Sequence, residues 1–133
     1  MKIIELEIKT SKQMEMLDIT PQINKALQEN NIAEGICCIY SPHTTCGLMI
    51  NEHADPTVVQ DIMETLNRLV PVNGSYRHLE GNSHAHIKTV LVGSSVHLII
   101  ENTQLRLGTW QGVFLCEFDG PRRRRVWIKT IKG

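Results

Sequence analysis

Twelve residues, Ser41-Pro42-His43-Thr44-Thr45-Cys46-Gly47-Leu48-Met49-Ile50-Asn51-Glu52, constrain this chain more than any other stretch. They gather an imidazole, hydroxyls, a thiol, a carboxamide and a carboxylate between two apolar runs. Upstream, Gly35-Ile36-Cys37-Cys38-Ile39-Tyr40 reads as a buried strand that Pro42 stops, and downstream Asp55-Pro56 opens a helix. Polar residues at the end of a strand, held by a hydrophobic framework, are a usual seat of chemistry. The rest of the chain must therefore supply a scaffold around this segment and partners for it.

The flanking signals outline that scaffold. Ile3, Ile4, Leu6 and Ile8 alternate imperfectly and are followed by Met14 to Ile19, which together predict an opening β-hairpin. Thr20-Pro21 predicts an N-cap with proline at the first helical position, and Ile23, Ala26 and Leu27 make one apolar face of a ten-residue helix ending at Asn30-Asn31. Within the polar segment, Thr44 to Ile50 is strand-like, with Thr44, Cys46, Leu48 and Ile50 on one side. After Asp55-Pro56, the stripe Val58, Val59, Ile62, Met63, Leu66 and Leu69 predicts a helix up to Val70-Pro71. Residues 72–81 read as a loop. Ala85 to Val92 is helical or extended on its β-branched content, with a short helix favoured. Strands are expected at Val96–Ile100, within Leu105–Phe118 and at Val126–Ile131, with Gly108 and Gly112 marking a bend or bulge and Gly120-Pro121 a turn. This order points to an α+β fold with a largely antiparallel sheet or sandwich.

A chain of 133 residues with 41% hydrophobic and 21% charged side chains forms one domain with a real core. Fourteen basic residues balance fourteen acidic ones, so no global charge draws the protein to nucleic acid or to a membrane. No run approaches the roughly 18–20 apolar residues of a membrane span. Acidic residues interrupt the N-terminus where a signal peptide needs an apolar core, so a cytoplasmic location is expected. Four cysteines lack CxxC spacing, and Cys37 and Cys116 lie inside apolar runs, as buried free thiols do.

Six histidines are many for this length. His43 lies in the polar segment, His78 in Tyr76-Arg77-His78, and His84 and His86 two apart. Imidazoles ligate zinc and shuttle protons, so a shared metal or acid–base site including His86 is predicted, although no zinc signature such as HExxH is present. On a strand His84 and His86 would share a face; on a helix they sit about 200° apart and only one can face the site. Cys46 is either a nucleophile activated by a neighbour or a small core residue. Glu52 is either an acid–base group or ligand, or a cap for the next helix. Leu107-Gly108-Thr109-Trp110-Gln111-Gly112 offers Trp110 as a stacking wall and Gln111 as a hydrogen-bonding group; a structural bend explains the same residues. In Asp119-Gly120-Pro121-Arg122-Arg123-Arg124-Arg125, alternation puts Arg122 and Arg124 on one face. One such pair suffices for a phosphate, leaving the other pair to solvent. A nucleic-acid interface would need a wider basic surface.

Several of these motifs together resemble the YjbQ-like family in order and spacing: Ser41-Pro42-His43-Thr44-Thr45-Cys46-Gly47-Leu48, Ile50-Asn51-Glu52, Tyr76-Arg77-His78, Ala85-His86-Ile87-Lys88, Leu107-Gly108-Thr109-Trp110-Gln111 and Glu117-Phe118-Asp119-Gly120-Pro121-Arg122. The resemblance covers about two thirds of the chain. It implies a single α+β domain over residues 1–133, a mostly antiparallel two-sheet β-sandwich with three short helices, assembling as a homotrimer. It also implies a weak, secondary thiamine-phosphate synthase activity. Carried onto this sequence, it assigns catalytic roles to Cys46, Glu52 and His86 and substrate contacts to Thr45, Trp110, Gln111, Asp119 and Arg122. A metal would fall to His43, His78 and His86. That donor set suits zinc better than magnesium, the ion on which thiamine-phosphate synthesis relies. Two departures stand out: Asn102-Thr103 replaces a glycine common before the Leu107-Gly108 element, and His84 stands where relatives often have Asp. The expected function is chemistry on a small phosphorylated substrate; the alternative is a non-catalytic trimer that binds a metal or metabolite.

Overall fold

A computed structural model describes residues 2–133. In chain order the elements are β1 (Ile4–Lys9), β2 (Glu15–Asp18), α1 (Thr20–Glu29), β3 (Gly35–Tyr40), β4 (Cys46–Glu52), α2 (Pro56–Leu69), α3 (Ser83–Val92), β5 (Ser95–Glu101), β6 (Gln104–Leu105), β7 (Gln111–Glu117) and β8 (Arg123–Lys132). All strand pairs are antiparallel, in a five-stranded sheet β1-β8-β3-β5-β6 and a three-stranded sheet β2-β7-β4. The inner faces of the two sheets and α1 close over one core, to which Ile23, Leu27, Ile39, Leu48, Leu115, Val126 and Ile128 contribute. A smaller cluster, Ala85, Phe114, Cys116 and Phe118, lies under α2 and α3. This is the α+β sandwich that the sequence predicts.

The opening hairpin is not formed. β1 pairs with β8, from Ile4↔Ile128 to Lys9↔Arg123, while β2 pairs with β7 in the other sheet. Glu15 accepts the amides of Ser11 and Lys12 at 2.6 and 2.8 Å and turns the chain, but it turns it from one sheet to the other. Nor does Thr20 cap α1. Its buried hydroxyl accepts the Val113 amide at 2.9 Å, while the Asp18 carboxylate takes the Thr20 amide at 3.0 Å. Asp55 does cap α2, accepting the Thr57 amide at 2.9 Å. The ambiguous segment resolves to helix α3, but Asn82 gives it no side-chain cap because its amide donates to Asp119 instead.

The long run Leu105–Phe118 is broken by a bend after β6, and the final strand begins at Arg123, earlier than expected. Asn102 (φ 53°) and Thr103 (φ 63°) make the tight turn between β5 and β6 in left-handed backbone. That conformation suits Asn-Gly and strains a β-branched residue. Across the outer face of the five-stranded sheet, Ile36 stands opposite Ile99 on one side and Ile131 on the other. These side chains are 54%, 59% and 72% exposed. Among the described residues no helix is long and apolar enough to cross a membrane.

Candidate functional site

The site starts where β3 ends. The Ser41 hydroxyl donates to the Cys46 carbonyl (2.7 Å) and receives the His43 amide (3.4 Å), which folds the segment back on itself. His43 is thereby laid against β8, where the Arg125 amide donates to its Nε2 at 2.8 Å. An amide can only donate, so Nε2 is the acceptor and the neutral ring carries its proton on Nδ1. Burial, followed by the nearby Arg124 charge, holds the His43 pKa below the usual imidazole value. His43 is therefore a neutral hydrogen-bond donor at physiological pH.

Beneath His43 lies a buried ion pair that the sequence reading missed. Arg124 Nε donates to Glu117 Oε1 at 2.8 Å, and its Nη2 reaches both Glu117 Oε2 and the Thr45 hydroxyl. Thr10 adds a hydroxyl donor to Glu117 at 2.7 Å. Glu117 is wholly buried and Arg124 nearly so. A carboxylate closing the apolar run Val113–Cys116, and an arginine in phase with buried Val126 and Ile128, are the sequence signals that pointed to it. All four consecutive arginines have acidic partners: Arg122 with Asp119, Arg123 with Glu7, Arg124 with Glu117 and Arg125 with Glu5. Arg124 is buried in its pair while Arg122 stays exposed, so the expected phosphate pair Arg122 and Arg124 is reduced to Arg122.

Arg122 donates through Nε and Nη2 to the Asp119 carbonyl and carboxylate, at 2.7 and 3.1 Å, and neither bond engages its Nη1. Burial raises the Asp119 pKa, but the hydrogen bonds from Asn82 and Arg122 outweigh it and leave the carboxylate more acidic than usual. Asn82 Nδ2 holds Asp119 at 2.9 Å, while its Oδ1 is buried without a partner. From α3, His86 meets His78 edge to face, with ring centroids 5.6 Å apart. His43, Thr45, His78, His86, Asp119 and Arg122 all line one cleft of about 590 Å³.

Only one of the paired histidines reaches this cleft, as a helix requires. His84 points into the protein, where Lys88 Nζ sits 2.8 Å from its Nδ1, 2.7 Å from Asn67 Oδ1 and 3.8 Å from Met14 Sδ. Lys88 is fully buried with no carboxylate among these three partners.

Four predicted site residues are placed otherwise. Cys46 is fully buried, and burial together with the Glu117 charge pushes its thiol up to about 12. It packs in the core, the second of the two readings the sequence left open. Glu52 pairs in register with Gln111 at the far end of the β4–β7 ribbon, where Cys46 pairs with Glu117 at the near end. At strand rise that separation is about 20 Å. Gln111 folds back to accept the Gly108 amide at 2.8 Å, the structural-bend reading of this loop. Trp110 is 63% exposed beside it, and neither residue lines the cleft of His43, His78 and His86. That far end holds a second pair the sequence reading passed over, His53 Nδ1 at 2.8 Å from Asp18.

The predicted three-histidine metal set does not assemble either. Among the described residues no group of three or more His, Cys, Asp and Glu is placed to hold a metal ion. His43 already has its Nε2 lone pair engaged by Arg125.

The model of the UPF0047 protein YjbQ-like family matches residues 4–133. The chain belongs to this family. Among its relatives, the UPF0047 protein MJ1081 of Methanocaldococcus jannaschii is 52% identical over 129 residues, 97% of this chain and 94% of that protein. The UPF0047 protein YugU of Bacillus subtilis is 50% identical over 127 residues, covering 95% and 96%. An uncharacterised conserved YjbQ/UPF0047 protein from Clostridium acetobutylicum superposes with a TM-score of 0.92 at 51% identity, over 96% of this chain and 99% of that one. Hypothetical protein APE1520 from Aeropyrum pernix superposes over the whole of both chains with a TM-score of 0.93 at 31% identity. UPF0047 membership establishes the fold; the chemistry has to come from the side chains.

Proposed function

We propose that this UPF0047 protein is an enzyme whose histidine-lined cleft binds a small phosphorylated substrate and moves protons on it. The observation that carries this reading is the convergence of His43, His78, His86, Asp119 and Arg122, from separate parts of the chain, on one open cleft. Arg122, oriented by Asp119, offers Nη1 to phosphate oxygens. His43, fixed as a neutral Nδ1–H donor, stabilises charge developing on a departing oxygen. His78 and His86 act as proton donor and acceptor. A finer form of the reading is a thiamine-phosphate synthase-like transfer, joining a pyrimidine pyrophosphate to a thiazole phosphate with release of pyrophosphate; Arg122 and His43 would hold the leaving group. The chain is proposed to work as a homotrimer that joins through the open isoleucine face of its larger sheet.

The test is turnover of a phosphate-ester panel that includes the two thiamine precursors. His86→Ala is expected to lower kcat/KM by about 100-fold or more while the fold is retained. Equal turnover by the variant overturns the assignment.

A metal-binding trimer is the second reading, favoured by the His78–His86 spacing. Two imidazoles on one tetrahedral zinc, each bonded at about 2.0–2.1 Å, bring their ring centroids to roughly 5 Å. Metal content of tag-free protein beside His86→Ala tests it: about one zinc-like ion per chain, lost in the variant, supports this reading, and no metal after supplementation removes it.

A further inference from the structure

Three cavities adjoin, and His86 borders all of them. The charged cleft with Arg122 shares both His43 and His86, together with Pro42 and Thr44, with a neighbouring cavity of about 360 Å³. The character changes across those two rings. Glu80, Asp119 and three arginines line the cleft. Apart from the two shared histidines, no ionisable group other than the Tyr40 phenol lines the neighbouring cavity, whose walls include Tyr40, Pro42 and Val90. The two buried hydroxyls there are committed to backbone carbonyls, Ser41 to Cys46 and Thr89 to Ala85, while Thr44 and Ser94 bring two further hydroxyls to its wall. Tyr40 lies beside Trp127, its cross-strand partner, with ring centroids 6.0 Å apart, yet keeps 43% of its surface exposed, and Val90 is 81% exposed. Apolar surface at the wall of a polar pocket is a recognition element, since it contributes affinity only for a ligand with a matching apolar part.

We infer that the ligand of this site is two-part: a phosphate held at Arg122, joined past His43 and His86 to an uncharged, flat or apolar body lying on Tyr40, Pro42 and Val90. This rests on the proposed phosphate-binding reading and narrows it to phosphate esters of an apolar or ring-bearing group. Inorganic phosphate, which has no such body, would fill only the charged arm.

The experiment compares inorganic phosphate with phenyl phosphate on the full chain by calorimetry. Phenyl phosphate is expected to bind about tenfold tighter or better, as burial of one aromatic face implies. Val90→Asn, which removes apolar surface without adding a charge, should shrink that advantage, and Arg122→Ala should weaken both ligands. In the wild type, magnetisation transfer from the phenyl protons should reach the Tyr40 ring and the Val90 methyls, which reads the contact without any variant. Equal affinity for the two probes, or transfer absent at Tyr40 and Val90, overturns the apolar arm while leaving phosphate binding intact. Affinities for both probes that ignore Arg122→Ala overturn the phosphate-binding reading itself.

Discussion

Glu117 and Arg124 bear most directly on the stability of the site. A buried ion pair adds little over an apolar pair of the same shape, but removing one partner strands the other charge. Glu117 also accepts the Thr10 hydroxyl, so its carboxylate ties β1, β7 and β8 together beneath His43. Glu117→Ala should therefore destabilise the protein by about 3–5 kcal/mol, read from urea unfolding. The double variant Glu117→Met with Arg124→Leu should recover much of that loss. A single variant as stable as the wild type would mean that water solvates Arg124 in solution. The alternation of the arginines was legible, since it follows from strand geometry alone. Which arginine is buried was not, because that depends on an acid seven residues earlier and on the hydroxyl of Thr45, which leads into the other sheet.

Helix α3 divides its work between two faces. His86 faces the cleft, while His84 and Lys88, one turn apart, face inward and meet Asn67 at the end of α2. The same contact closes the base of the 70–82 loop that carries His78. Burial, then the Lys88 charge, holds the His84 pKa below the usual value of 6.5. In the unfolded chain this histidine binds a proton near 6.5, so below that pH the unfolded state takes up more protons than the folded one. Stability contributed by neutral His84 is therefore complete above about pH 6.5 and falls as the pH drops, by at most about 1.4 kcal/mol per pH unit. His43, also lowered, contributes with the same sign. Urea midpoints from pH 7.5 to 5 should fall more steeply for the wild type than for His84→Gln, which keeps an acceptor for Lys88 but does not titrate. Parallel curves would mean that His84 does not titrate as the buried geometry requires. At this scale the sequence was largely readable. Proline positions and the apolar stripes located α1 and α2, and helical spacing anticipated that only one of His84 and His86 would face the site. The fully buried lysine was not legible, because only His84 among its partners is local; Asn67 comes from α2 and Met14 from the chain ahead of β2.

At the scale of the whole molecule, long-range pairing is where sequence reasoning failed. β1 and β2 are neighbours in sequence yet belong to different sheets, each pairing with a strand from the C-terminal third. Local turn chemistry shows where strands end; it cannot choose partners more than a hundred residues away, which exposed and buried faces select together. The same reasoning set the Trp110–Gln111 loop and Glu52 beside the histidines, whereas within one chain they fold to the opposite end of the β4–β7 ribbon. One face still lacks a partner: Ile36, Ile99 and Ile131 form a row across three strands, with Tyr40 and Trp127 further along the same sheet. Burying three half-exposed isoleucines contributes on the order of 1 kcal/mol apiece. A contiguous apolar row of this kind is a candidate interaction surface. Under the proposed homotrimer, light scattering coupled to size exclusion should give about three times the 15.1 kDa of one chain. Ile99→Lys, which sets an ammonium in the middle of that row, should return the mass to that of one chain with the circular-dichroism spectrum unchanged. A variant that still elutes at the trimer mass would place the self-association surface elsewhere, and the cleft-lining side of α3, with exposed Ile87 and Val90, would be the next face to alter.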